Sequence, residues 1–203
     1  MLLNCDLGES YGYWQIAADP LVMPHIDMAN IACGYHAGDP QVMQQTIALA
    51  KQYQVKIGAH PSYPDRQGFG RRSMHLAHDE IESLIIYQLG ALAGMCKSQS
   101  CQVSYLKPHG ALYNDMMKND DVLHAIFSAM QKYDPAMPLL MMATSHNNRF
   151  KQTAKNYGIK VMFEAFADRA YDDEGFLVAR NIEGSVLQKP DDILNRALQL
   201  KTQ

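Results

Sequence analysis

Short apolar runs alternate along this chain with segments of helical periodicity, and this alternation limits the fold more than any other feature. The runs are typical of buried strands and lie at Leu2–Cys5, Ala29–Cys33, Val55–Ala59, Val103–Leu106, Pro138–Ala143 and Ile159–Phe163. Helices are predicted from Pro40 onward and over residues 79–95, Asp120–Lys132, His146–Tyr157 and Asp191–Lys201. Strands that alternate with helices predict a parallel α/β sheet, either open and doubly wound or closed into a barrel.

Length and charge exclude several classes of protein. The 203 residues suffice for one domain with a substantial core, and 47 % of them are hydrophobic. The net charge is −3, and the longest basic block is Arg71-Arg72, which disfavours a nucleic-acid partner. No apolar run approaches the length of a membrane span, and the amino terminus lacks a signal-peptide pattern. We therefore expect a cytoplasmic protein, whose four irregularly spaced cysteines are reduced thiols.

Unusual polar motifs follow strand after strand, each time on the carboxyl side. They are Asn4–Glu9 after the first strand, Asn30–Asp39 after the second, Gly58–Asp65 and Gly68–Arg72 after the third, Lys107–Tyr113 after the fourth and Glu164–Arg169 after the sixth. In parallel α/β proteins the carboxyl ends of the strands face one side. We therefore expect these residues to converge in one site although they are distant in sequence.

The residue types in these motifs indicate chemistry. Three histidines at equivalent strand ends, His36, His60 and His109, favour a functional site over three unrelated core residues. With Asp6 they could hold a divalent metal that activates water, or they could act directly as general acid and base. The spacing leaves both mechanisms open. Asp39, which precedes a proline, is interpreted as a helix cap.

Basic side chains at the same strand ends indicate an anionic ligand. Lys107 is placed to hold an anionic group or to stabilise developing negative charge. Arg71 and Arg72 follow Gly68-x-Gly70, and guanidinium groups bind carboxylate or phosphate in bidentate fashion. The alternative interpretations are a lysine that reaches solvent and two glycines that only shape a turn.

Five of these blocks resemble the LamB/YcsF family, whose members are the A subunits of 5-oxoprolinase. They are Asn4–Glu9, Ala29–Asp39, Gly58–Ser62, Lys107–Tyr113 and Phe166–Tyr171, and the resemblance that they carry extends over nearly the whole chain. The resemblance implies a distorted β/α (TIM-like) barrel of the glycoside hydrolase/deacetylase type. Residues 1–203 are accordingly expected to form a single β/α-barrel-like catalytic domain.

The resemblance also implies an activity, the ATP-dependent hydrolytic opening of 5-oxo-L-proline to L-glutamate together with partner subunits B and C. An unactivated lactam is a poor electrophile, and phosphorylation of its amide oxygen makes attack by water feasible. On this pattern the partner subunits use ATP for phosphorylation, and this chain carries out hydrolysis.

The resemblance suggests roles for the candidate residues. Asp6 or Glu9 activates water with His60 and His109, and Lys107 stabilises the oxyanion. Arg71, Arg72 or Arg169 holds the substrate carboxylate or phosphate. The other candidates for substrate binding are Asn30, His36, Tyr113, Glu164 and Asp168, and those for a divalent metal are Asp6, His36, His60 and His109.

Members of this family usually continue past the position of Gln203 into another strand that ends in His-Gly-Asp. On that pattern we expect a barrel that is incomplete at the carboxyl end and has an exposed sheet edge. Two other functions also fit the residues, a metal-dependent deacetylase or amidohydrolase and a non-catalytic binding or regulatory subunit. Metal content would identify the first, and ligand binding without turnover would identify the second.

Overall fold

The computed structural model describes residues 1–16 and 18–202, and in these residues six strands form one parallel sheet. The strands are β1 (Asn4–Leu7), β2 (Met28–Ala32), β3 (Lys56–His60), β4 (Val103–Leu106), β5 (Leu139–Met142) and β6 (Val161–Glu164). They lie side by side in chain order. A sequential order without reversal is that of a β/α barrel and not of a doubly wound sheet. All six predicted strands are confirmed, with small displacements of their bounds.

Helices connect these strands. They are α1 (Asp19–Val22), α2 (Pro40–Gln52), α3 (His78–Ser98), α4 (Gly110–Lys118), α5 (Asp120–Tyr133), α6 (Asn147–Asn156) and α7 (Pro190–Thr202). Asp39 caps α2 as predicted, because its Oδ1 accepts from the backbone N–H groups of Gln41 and Val42 at 2.8 and 3.0 Å. The sequence did not predict α4, which begins at Gly110 directly after His109 and has no side-chain cap.

The sheet is curled into a half-barrel. Neighbouring strands lie about 4.8 Å apart, so the outer strands of a flat six-stranded sheet would be separated by more than about 20 Å. Instead, the Nδ2 of Asn4 on β1 donates to the Oε2 of Glu164 on β6 at 2.9 Å. Among the described residues β1 and β6 share no backbone pairing, so side chains alone join the two edges. The prediction of a distorted barrel is confirmed in this open form.

The two faces of the sheet bury different residues, because successive side chains of a strand point to opposite sides. On the outer face Ile31, Ala59 and Met141 belong to the main core that packs against the helices. The concave face encloses a lumen, which is filled at one level by a second apolar cluster. That cluster consists of Met28, Tyr105 and Leu140, with Met162 packed against it.

Gly58 makes room for the aromatic ring in the lumen. A Cβ added to Gly58 on β3 would lie only 2.1 Å from the Tyr105 ring on β4. Any larger residue would therefore expel that ring. Polar side chains occupy the lumen on the carboxyl side of this apolar layer, which is where the sequence motifs end.

Other sequence expectations concern membranes and cysteines. No helix in the described ranges combines the length and hydropathy needed to cross a bilayer. Cys5, Cys33, Cys96 and Cys101 are free thiols. Burial raises the pKa of Cys33 to about 12, so this thiol behaves as a small packing residue and not as a nucleophile.

Candidate functional site

A buried lysine lies at the centre of the polar lumen. Lys107 follows β4, and its Nζ contacts Asp6 Oδ1 at 3.2 Å, Glu164 Oε2 at 3.1 Å and Asn4 Oδ1 at 3.1 Å. Its side chain is only 5 % exposed. Burial opposes the charge, but the Asp6 and Glu164 carboxylates outweigh burial and raise the pKa of the ammonium group. Lys107 therefore remains a cation that links β1, β4 and β6.

Neutral side chains fix the orientation of the two carboxylates. Asn30 donates from Nδ2 to Asp6 Oδ1 at 2.7 Å, and Tyr105 donates its hydroxyl to Asn30 Oδ1 at 2.5 Å. Tyr113 on α4 donates its hydroxyl to Glu164 Oε1 at 2.8 Å. The carboxylates thus have fixed partners on the protein side, which preorganises the site.

The hydrogen bonds of His60 and His109 define which ring nitrogens carry protons. His60 Nδ1 lies 2.7 Å from the carbonyl oxygen of Lys107, and His109 Nε2 lies 2.9 Å from that of Phe69. A carbonyl oxygen only accepts, so these two nitrogens are donors. The remaining nitrogens, His60 Nε2 and His109 Nδ1, face each other at 2.9 Å. Two neutral rings would place two lone pairs in contact there.

This contact therefore requires an additional proton or a cation. Burial, followed by His60 and His36, lowers the pKa of His109 to about 2. A proton shared across this contact would also lie close to a carboxylate, because His60 Nε2 is 3.4 Å from Asp6 Oδ2. Burial would raise the pKa of Asp6, but His60 and Lys107 outweigh it and hold that pKa well below its ordinary value. Asp6 is thus ionised, and its side chain keeps 37 % of its surface accessible.

Glu9 brings a third histidine to the pair. Its Oε1 lies 3.1 Å from His36 Nε2 and 3.5 Å from His109 Nδ1, and burial raises the pKa of this carboxyl group. The His36 and His109 rings stack at 3.8 Å with an angle of 3° between their planes. The second nitrogen of His36, Nδ1, is buried and has no hydrogen-bond partner among the described residues.

These four residues form a set of donors suited to a metal ion. One ligand atom each from Glu9, His36, His60 and His109 lies within 4.8 Å of all the others. A tetrahedral zinc site with bonds of about 2.1 Å has ligand atoms about 3.4 Å apart, and imidazole and carboxylate groups are among its usual ligands. The sequence predicts Asp6 as the carboxylate that would bind a metal with these three histidines, whereas in the structure Glu9 is the carboxylate beside them. The quartet could therefore hold either a divalent ion or the shared proton.

Gly70 supports the histidine cluster by its lack of a side chain. Its φ is +65°, and an added Cβ would lie 2.8 Å from His36 Cβ and 2.9 Å from His109 Cδ2. Its carbonyl oxygen accepts from the backbone N–H of Ala111 at 2.8 Å. Gly70 is therefore a close-packing element beneath the histidines, whereas an added Cβ at Gly68 would meet Asp65 and Arg72.

We expect Gly70→Ala to lower the free energy of unfolding by more than about 1 kcal/mol, because the left-handed backbone and both histidines reject a Cβ. Chemical denaturation measures this change. Gly94→Ala on α3 is the matched control, since an added Cβ there meets nothing within 4 Å, and it should leave stability unchanged or raise it by up to about 1 kcal/mol. Equal effects of the two variants would contradict the packing role of Gly70.

A pocket of about 380 Å³ opens onto this network, a volume suited to a small ligand. The polar side chains that line this pocket include those of Asp6, His60, Lys107, His109 and Tyr113 and of three arginines, Arg71, Arg169 and Arg180. Asn30, His36, Glu9 and Glu164 lie behind this lining and contact it through the hydrogen bonds and ion pairs described above. The sequence-predicted site residues thus converge as expected, with two exceptions.

Arg72 and Asp168 are not among the lining residues. The Arg72 guanidinium is paired with Asp65, with Nε 3.0 Å from Asp65 Oδ1. Asp168 follows β6, but its carbonyl oxygen binds Leu187 N–H, and its side chain is not part of the pocket. Sequence reasoning missed Arg180 because it lies in residues 165–189, an irregular segment without a strand or helix in the described structure.

Fold and site together define an α/β half-barrel protein with a small-molecule pocket at the carboxyl ends of its strands. The family model described as "LamB/YcsF family" matches residues 1–203, and the chain belongs to this family. The resemblance drawn from the motifs is thereby confirmed.

Curated relatives carry names that indicate their function. The chain is 52 % identical over 200 residues to a protein of Pseudomonas fluorescens strain Pf0-1 that is named as the A subunit of 5-oxoprolinase. That alignment covers 98 % of this chain and 80 % of the relative. The chain is also 50 % identical over 199 residues to the protein of the same name from Chromohalobacter salexigens, with the same shares covered.

A solved structure is similar throughout the fold. It is the crystal structure of a lactam utilization protein from Thermus thermophilus, and it has a TM-score of 0.90 at 37 % sequence identity. The match covers 98 % of this chain and 79 % of that one. The half-barrel arrangement is therefore shared with a lactam utilization protein.

Proposed function

We propose that this chain is the hydrolytic subunit of a cytoplasmic 5-oxoprolinase, which opens 5-oxo-L-proline to L-glutamate with ATP and with subunits B and C. Relatives about half identical to it are named as the A subunit of 5-oxoprolinase. The single observation that carries the proposal is a series of side-chain contacts that runs from Lys107 through Asp6 and His60 to His109, all of which line the pocket. Lactam hydrolysis needs a base, an acid and a cation within reach of one carbonyl, and this series supplies them.

The pocket groups suit addition of water to the lactam carbon. Asp6 is an ionised carboxylate with accessible surface and orients the attacking water as an acceptor. The proton shared by His60 and His109 is available to the departing ring nitrogen, which must be protonated for the C–N bond to break. Lys107 Nζ offers a fixed positive charge to the oxyanion that develops on the same carbon.

We assign phosphorylation of the lactam to subunits B and C, which therefore bind ATP. The loop that contains Gly68-x-Gly70 supports this division of the two chemical steps between the subunits. Gly70 packs against His36 and His109, so its loop holds the histidines in place and is not arranged as a cradle for nucleotide phosphates. Water attack on the activated lactam then falls to the pocket of this chain.

A reconstitution assay tests the proposal. This chain is mixed with subunits B and C, ATP and 5-oxo-L-proline, and L-glutamate is measured. We expect glutamate only when all three subunits and ATP are present. Glutamate formed at the same rate without this chain would refute the proposal, and binding of 5-oxoproline without any turnover in the full mixture would indicate a regulatory role instead.

A second candidate is a metal-dependent amidohydrolase or deacetylase, which the donor quartet of Glu9, His36, His60 and His109 favours. A divalent ion held there would polarise a carbonyl or lower the pKa of a bound water. The same preparation discriminates between the candidates. Stoichiometric zinc in the purified protein, with ATP-independent amide hydrolysis that a chelator abolishes, would establish the amidohydrolase and exclude the ATP-dependent proposal.

A further inference from the structure

Three guanidinium groups line the pocket without a carboxylate partner. Arg71, Arg169 and Arg180 all belong to the lining. Within the described part of the chain, none of the three forms an ion pair with Asp or Glu, whereas Arg72 and Arg149 each do. Burial and then Arg180 lower the pKa of both Arg71 and Arg169, as expected when like charges are close. A cluster of unpaired cations in a pocket is suited to an anionic ligand.

The three arginines differ in what their donors already bind. Arg169 donates from Nη2 to the carbonyl oxygen of Val178 at 2.6 Å and from Nε to that of Ser185 at 3.3 Å. Its backbone also pairs with Val186. Arg169 thereby fixes both sides of the short segment that carries Arg180.

Arg71 and Arg180 keep their donors available. The Arg71 guanidinium lies 5.0 Å from the centre of the Phe69 ring, a contact that uses no N–H group. Among the described residues, neither side chain has a hydrogen-bond partner at the pocket. A planar guanidinium with free donors binds a phosphate or carboxylate through two parallel hydrogen bonds.

We propose that Arg71 and Arg180 form a phosphoryl subsite that binds the phosphate of an O-phosphorylated lactam, with Arg169 as the positioning residue for Arg180. This inference rests on the proposed function and extends it. The chain receives its substrate already activated and keeps hold of the phosphate until the ring has opened.

A phosphate held in this way directs the order of bond breaking. Water adds to the ring carbon that bears the O-phosphoryl group, forming a C–O bond. The C–N bond then breaks and the nitrogen takes a proton, which gives an open-chain acyl phosphate. A second water cleaves the acyl phosphate to L-glutamate and inorganic phosphate. If phosphate left before the C–N bond broke, the lactam would be regenerated and its phosphorylation would be wasted. Retention of the phosphate until the C–N bond has broken therefore ensures that the ring opens.

The test uses inorganic phosphate as the probe, titrated into the full-length chain and followed by calorimetry at low ionic strength. We expect Arg71→Ala and Arg180→Ala each to weaken phosphate binding by about tenfold or more, since each removes a charged hydrogen-bond donor. Arg149→Ala is the matched control, because it removes the same charge from an exposed side chain paired with Asp120 outside the pocket. It should bind phosphate as the unmodified chain does.

A double-mutant cycle tests the positioning role of Arg169. If Arg169 acts through Arg180, the variant Arg169→Lys weakens phosphate binding alone but adds nothing to Arg180→Ala. Additive losses would show an independent role for Arg169 and refute positioning. The charge is retained in Arg169→Lys, so a general electrostatic effect would leave affinity unchanged.

The outcomes separate the subsite from the proposed function. The subsite is refuted if the unmodified chain binds no phosphate at millimolar concentration, or if Arg71→Ala and Arg180→Ala bind it as tightly as Arg149→Ala does. Glutamate production in the reconstituted mixture would then still support the hydrolase. Conversely, arginine-dependent phosphate binding without any glutamate production would support the subsite and refute the hydrolase.

Discussion

The Lys107→Met variant is expected to lose about 3–5 kcal/mol of unfolding free energy, the usual result of removing one partner from a buried ion pair. Asp6 and Glu164 would face each other across the lumen without their shared cation. Protonation of these carboxylates would remove the uncompensated charge, so the deficit should be smaller near about pH 4 than near about pH 7. Chemical denaturation at both pH values measures the effect, and glutamate production should be lost as well.

Lys132→Met provides the comparison for this variant. The Lys132 ammonium also pairs with a carboxylate, that of Glu82, but its side chain is 60 % exposed. Exposed pairs contribute at most about 1 kcal/mol. A loss of similar size in the two variants would show that Lys107 is not the electrostatic centre of the site.

The second large effect is expected at His109. Replacing it by Ala should reduce glutamate production by about 10²–10⁴-fold, the range for removal of a general acid or base. The physical reason is the contact between His109 Nδ1 and His60 Nε2, which positions the shared proton beside the pocket. The reconstituted assay measures the rate, and circular dichroism verifies that the fold is retained.

Two variants make the His109 result interpretable. His109→Gln keeps an N–H that can donate to the Phe69 carbonyl, so it should preserve the fold while it loses activity. His75→Ala removes an exposed histidine outside the pocket and should be fully active. A fully active His109→Ala enzyme would exclude His109 from the chemistry.

The strands, most helices and the convergence of the site could be predicted because each rests on a local pattern. Apolar runs place the six strands, Asp39 before Pro40 places the start of α2, and parallel strands necessarily bring their carboxyl ends together. Periodicity alone leaves the curl of the sheet open, because it reports which residues are buried and not how far a sheet bends. Only the resemblance to the LamB/YcsF family implies a barrel. Here the bend is stabilised by Asn4 and Glu164, two polar side chains whose pairing has no sequence signal.

The finer composition of the site could not be predicted, because it depends on where the chain turns after each strand. Gly8 adopts a φ of +70° after β1, and the following Glu9 contacts His36 and His109. After β6 the chain takes Asp168 away from the pocket but returns Arg180 to it. Helix α4 lacks a capping side chain at its start, so the pattern that marks other helices is missing there.

The position of the Tyr105 ring determines from which end the lumen can be reached. The ring, seated over Gly58 and flanked by Met28 and Leu140, fills the lumen beneath the polar network. In the described residues this apolar layer closes the lumen below the polar network, so the pocket opens on the side of the carboxyl ends of the strands. Under the proposed function, a product must therefore leave the pocket before the next substrate enters, and the arginines that line the pocket would slow the release of an anionic product.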